Sequence, residues 1–137
     1  MKNRAYKSWP IRTATGVAIL FGLLTILSGG RVLFGDDTAR AAAGNVVWFV
    51  LWFNFLSGFA YVLAGVGIAT RRRWAASLSI LLAISIAVAF LFFGFRILSG
   101  EAFEMRTMGA MNLRLVVWVA IAMVSRRSTF SNQQTAE

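Results

Sequence analysis

Charged residues in this chain come in short clusters, and long apolar stretches separate the clusters. The clearest stretch runs from Val46 to Ala69 without a charge and is closed by Arg71, Arg72 and Arg73. An α-helix of about 24 residues rises roughly 36 Å, enough to cross a hydrocarbon core about 30 Å thick with some tilt. Three further stretches have the same character: 11–28, with 32–34 continuing it at the interface, then 74–98 and 107–125. The last is the weakest, because Asn112 and Arg114 lie inside it and would not insert comfortably without neighbours. The pattern predicts an all-α, polytopic integral membrane protein, a four-transmembrane-helix bundle with short loops. Residues 1–137 then form a single membrane domain with a basic segment 1–10 ahead of the spans and a polar tail 128–137 behind them.

Local signals refine this layout. Trp9 suits the headgroup zone, and Pro10 fits the first turn of a helix, where its missing N–H would have no partner anyway. A basic start before an apolar core also describes a signal peptide, with Ser28-Gly29-Gly30 as small residues for cleavage; the stretch is read here as a span. Gly35-Asp36-Asp37-Thr38 forms the first turn, and Gly29, Gly30 and Gly35 read as turn glycines. Asp37 suits the N-cap of a second helix that begins with the alanine-rich 38–43 and runs on into the second span. Within that span Asn54, Ser57, Gly58, Tyr61 and Gly65 recur at spacings of three and four, a small and polar stripe turned inward. Ile26-Leu27-Ser28-Gly29 recurs as Ile97-Leu98-Ser99-Gly100, and Val46-Val47-Trp48 as Val116-Val117-Trp118, although at a different depth. These echoes hint at two related helical hairpins.

Composition agrees with the pattern. Hydrophobic residues make up 58% of the chain and charged ones 14%, with a mean hydropathy of +0.70. That is far more apolar and less charged than an ordinary soluble domain. The net charge of +9 would point to nucleic acid in a soluble protein, but its placement explains it differently. Lys2, Arg4, Lys7, Arg12, Arg71 to Arg73, Arg126 and Arg127 fall on one side of the predicted spans with only Glu137. Arg31, Arg40, Arg96, Arg106 and Arg114 lie on the other side or in the outer half of a span, among Asp36, Asp37, Glu101 and Glu104. Short cytoplasmic loops collect Lys and Arg, so both termini are expected inside, in a bacterial-type inner (plasma) membrane. The basic flank then faces anionic lipid headgroups, and nucleic acid is not expected as a partner.

The chain has no Cys and no His. Disulfides, thiolate or imidazole metal sites and the usual general base are therefore absent. The candidate ligand-binding residues are Arg96, Arg114, Glu101 and Glu104 in the outer half, with Asn54 and Tyr61 deeper. They would serve a small-molecule, lipid, quinone or ion binder or transporter. The plainer reading has Arg96 snorkelling to the interface, Arg114 paired with a glutamate, and Asn54, Ser57 and Tyr61 acting as interhelical glue. Met105, Met108 and Met111 supply soft thioethers suited to Cu(I), or else plain packing.

Twelve Phe and five Trp exceed what two interfacial belts require, and aromatic side chains favour protein interfaces. Trp48, Trp52, Phe55, Phe59 and Trp118 are the candidate partner-interface residues. In size and layout the chain resembles several small bacterial four-span families, the DoxX-like proteins among them, without a motif that extends the likeness to a site. The expected function is a small non-catalytic accessory or interaction subunit, without a cofactor. It would pack against a larger membrane complex or a second copy of itself, in contact with membrane lipids.

Overall fold

The computed structural model describes the backbone of residues 3–133 and the side chains of 9–127. Within that range every regular element is an α-helix: α1 (Asn3–Phe34), α2 (Asp37–Ala43), α3 (Trp48–Ala69), α4 (Arg73–Leu98) and α5 (Met105–Gln133). Four of them are long and apolar enough to cross a membrane, over Trp9–Phe34, Trp48–Ala69, Arg73–Leu98 and Met105–Arg127. The basic residues before Trp9 and the end of the polar tail fall partly or wholly outside the described residues.

The widest interface joins α1 to α3, and glycine makes it possible. A Cβ on Gly22 would meet Val62 Cγ2 at 2.7 Å and the Gly58 carbonyl at 2.8 Å, and one on Gly58 would meet Ile26 Cγ1 at 2.7 Å. Lower down Gly65 lies against Ile19, and higher up Gly29 lies against Phe55, so the two helices run antiparallel. Close backbone approach at small residues is how helices associate without a hydrophobic driving force. The helix α4 then packs on α3 and on α5, and a thin contact between α1 and α5 completes the arrangement. One buried cluster centres on Tyr61, Ile86 and Trp118 with Ala14 and Ala18 of α1, and a second on Val50, Phe93 and Met111.

Both tight turns between long helices end in the same way. At the end of α3, Arg71 N–H donates to Ile68 O at 3.1 Å and Arg72 N–H to Gly67 O at 2.9 Å. At the end of α4, Gly100 N–H donates to Ile97 O at 3.0 Å and Glu101 N–H to Arg96 O at 3.3 Å. This pair of bonds satisfies carbonyls left over at a helix end and needs a left-handed residue in the turn. Gly100 supplies it at φ +87°; in the other turn an arginine does, Arg71 at φ 53°.

Several local expectations are corrected. Gly29 and Gly30 lie inside α1, against Phe55, and not in a turn, so the Ser28-Gly29 echo of Ser99-Gly100 is not an echo of structure. Pro10 is also interior to α1, which already starts at Asn3. The α2 cap is Asp36, whose carboxylate accepts from Ala39 N–H at 2.9 Å, and Asp37 is the first helical residue. The second helix is not continuous either: α2 stops at Gly44 (φ +72°) and α3 starts afresh at Trp48. The reason is steric and electrostatic, because the Glu104 carboxylate occupies the space a side chain at Gly44 would need and accepts from Asn45 N–H at 3.1 Å. Past 127 the backbone of α5 stays helical into the polar tail as far as Gln133.

Candidate functional site

Arg96, Glu101, Glu104 and Arg114 divide into separate local roles. Arg96 Nη2 pairs with Glu101 Oε2 at 2.7 Å, both side chains being partly exposed. These two residues bracket the α4 turn, in the positions where that motif usually places an apolar contact, so the ion pair fastens the turn. Glu104 belongs to the α2–α3 linker through Asn45, and Arg106 reinforces it by donating to Ala42 O at 3.2 Å. Arg40 likewise donates to the last carbonyls of α1, Val32 O at 3.4 Å and Leu33 O at 3.3 Å. A cleft of about 280 Å³ opens here, lined by Val32, Arg40, Asn45, Val46, Trp48 and Ala102. Its arginine is already engaged by Val32, Leu33 and, at 4.0 Å, Asp37.

Arg114 stands apart from all of these. Among the described residues it has no ion pair, and its Nε is buried without a hydrogen-bond partner. The expected Arg114–glutamate pair is therefore not made. Instead the guanidinium carbon lies 6.0 Å from the centre of the Phe21 ring, at the limit of a cation–π contact. Phe21 reaches Tyr61 at 6.3 Å, and Tyr61 lies against Trp118 with centroids 4.6 Å apart and planes tilted by 34°. Trp118 is one turn beyond Arg114 on α5, so both project towards α3 and α1. Tyr61 and Trp118 are both wholly buried, yet neither the Trp118 indole N–H nor the Tyr61 hydroxyl makes a hydrogen bond of good geometry, although the Arg114 charge and Ser57 both lie near the hydroxyl. Asn54 Oδ1 and Thr15 Oγ1 are buried and unpartnered as well.

The structure thus joins Arg114 with Tyr61, two of the expected ligand-binding residues, and leaves Arg96, Glu101 and Glu104 at the turns. Sequence reasoning missed Phe21, Thr15 and Gly22. The signal was present: Ala14, Ala18, Gly22, Thr25 and Gly29 form a small-residue stripe at helical spacing along α1, the partner of the stripe on α3.

The methionines do not share one environment. Met105 is exposed, Met108 packs against the Phe93 cluster and Met111 is buried within it. Of the expected partner-interface residues, Trp48, Trp52 and Phe59 are exposed and Phe55 is half-buried beside them. Trp118 is the correction: at 0% exposure it belongs to the core, because the rotation of α5 that buries Met111 also turns Trp118 inward. Phe34 of α1, not singled out from the sequence, joins the outer aromatic row. Its ring meets Trp52 at 6.2 Å and Phe55 at 5.7 Å, and Phe55 meets Phe59 at 5.3 Å, all edge to face. No family model, curated protein or solved structure matches this chain, so its chemistry is read from its own residues.

Proposed function

We propose that the chain is a small non-catalytic subunit of a bacterial-type inner membrane, a four-span bundle with both termini cytoplasmic, that packs through the aromatic face of α3 against a larger membrane complex. The observation that carries this reading is the surface row Phe34, Trp52, Phe55 and Phe59, whose rings brace one another edge to face. Rings so held lose little freedom when a partner covers them, which favours association. Lipid contact alone does not call for such a row. Between Trp9 and Phe34 the exposed side of α1 is Leu20, Leu23, Leu24 and Leu27, that of α5 is Leu113, Val116, Val119 and Met123, and that of α4 is Leu81, Ile84, Val88 and Leu91 with Phe92 and Phe95 towards its end. On α3 the corresponding positions are Trp48, Trp52, Leu56 and Phe59. From Trp48 to Phe59 the helix descends about 16 Å, deeper than an interfacial belt reaches.

The orientation rests on charge. Arg71 to Arg73, Arg126 and Arg127 gather at the end of the molecule where α3 and α5 finish, and short basic segments stay cytoplasmic. Native mass spectrometry after gentle extraction from the protein's own membrane tests the reading. Wild-type chain is expected in stoichiometric association with a larger complex, and the Trp52→Leu, Phe59→Leu double variant is expected as free, folded chain. Wild-type protein recovered alone at 15.1 kDa would remove the proposal.

A further inference from the structure

Arg114, Tyr61 and Trp118 each hold a buried polar atom that makes no hydrogen bond of good geometry. Arg114 carries a charge in the interior part of α5, about 13 Å of helix rise beyond Met105, where no carboxylate pairs with it among the described residues. Beside it two wholly buried side chains hold the unpartnered Trp118 indole N–H and the poorly engaged Tyr61 hydroxyl. A buried donor left unsatisfied is costly, and a charge within a membrane is costlier still. Tyr61 and Trp118 touch, Arg114 reaches them through Phe21 and the field at Tyr61, and three such groups so close would be a poor way merely to pack helices, since Phe or Leu would fill the same space. What satisfies them together is a compact anion with two acceptor oxygens. A guanidinium matches a carboxylate in charge and in fork geometry, and the hydroxyl and indole N–H suit its remaining lone pairs.

The route and the surroundings say how such an anion arrives. Helices α1 and α5 share only a thin contact, and Arg114 and Phe21 are the half-buried pair that face each other across it. The exposed flanks of both helices are apolar, so a carboxylate reaches this depth only when carried on a hydrocarbon chain. We propose that the α1–α5 seam binds the carboxylate head of a single-chain membrane amphiphile of the fatty-acid class, with Arg114 as its cationic donor and Tyr61 and Trp118 completing the cradle. Phosphate heads fit less well, being bulkier, more highly charged and held at the membrane surface by hydration. The site is independent of the aromatic row on α3, and neither needs the other.

The test titrates oleate labelled with ¹³C at its carboxyl into the full chain in nanodiscs of phosphatidylcholine, reading a protein-bound carboxyl resonance distinct from that of bilayer oleate. Saturable binding of one oleate per chain is expected, without competition from oleyl alcohol. Arg114→Gln is expected to weaken it about tenfold or more, and Tyr61→Phe, which deletes only a hydroxyl, about threefold. If Arg114→Gln fails to fold, Tyr61→Phe and Trp118→Phe decide the matter through the same resonance. The proposal is overturned if oleate shows no saturable resonance, if oleyl alcohol competes equally, or if affinity survives the folded variants unchanged. It is likewise overturned if oleate does not bind while Arg114→Gln releases a co-purifying protein, since Arg114 would then pair with that partner.

Discussion

Arg71 shows how a single residue can answer two demands at once. It occupies the left-handed position of the α3–α4 turn, where the equivalent position after α4 is Gly100. A side chain there costs about 1–2 kcal/mol, and glycine would avoid this while adding disorder to the unfolded chain. Arg71→Gly is therefore expected to stabilise the protein by about 0.5–1 kcal/mol, read as a shift in unfolding by sodium dodecyl sulfate followed by circular dichroism. Arg71→Val, β-branched at the same φ, is expected to destabilise it. The charge cluster of Arg71 to Arg73 is plain in the sequence, but the strained φ is invisible because the usual marker, glycine, is missing. Glu104 is the opposite case. From sequence it reads as half of an acidic pair with Glu101, whereas the fold gives it to Asn45 and Gly44, about sixty residues away in the chain. Glu104→Ala is expected to cost about 1 kcal/mol and to speed amide hydrogen exchange at Asn45. Unchanged exchange there would mean that the contact does not hold the linker.

At the scale of helices, the apolar runs gave the four long elements to within a few residues, except that α1 starts well before its expected span and α5 runs on well past the end of its own. Runs are legible because length and the absence of charge are properties of one segment. Which face of a helix meets which neighbour is a property of two, and this is where Trp118 and the Arg114 pairing were misread. The glycines make the distinction measurable. Gly22 and Gly58 lie at the α1–α3 crossing, while Gly16, Gly94 and Gly109 face open space in helices of the same protein. Gly22→Ala and Gly58→Ala are each expected to lose about 1–3 kcal/mol, because backbone and Val62 or Ile26 must move apart. Gly16→Ala, Gly94→Ala and Gly109→Ala are expected to be neutral or to gain up to about 1 kcal/mol from helix propensity. Equal effects in the two groups would mean that α1 and α3 do not cross at these residues.

For the whole molecule the question is which end faces which compartment, and the chain itself makes that measurable, because it has no native cysteine. Any introduced thiol is then unique. The α1–α3 and α3–α4 packing puts Thr70–Arg72 at one end, and the α2 linker and the turn around Ala102 at the other. Arg72→Cys and Asp36→Cys sample these two ends at exposed positions. With both termini cytoplasmic, a membrane-impermeant maleimide added to intact spheroplasts is expected to label Asp36→Cys and Ala102→Cys and to leave Arg72→Cys unlabelled until the membrane is opened. The physical cause is the arginine cluster, so neutralising Arg71, Arg72 and Arg73 together should weaken the preference and give a mixed labelling pattern. The reverse pattern in wild-type background would place the Arg40 cleft and the Glu104 clamp on the cytoplasmic side. The aromatic row of Trp52, Phe55 and Phe59 would then sit in the cytoplasmic half of the membrane, and any partner would have to be sought at that depth.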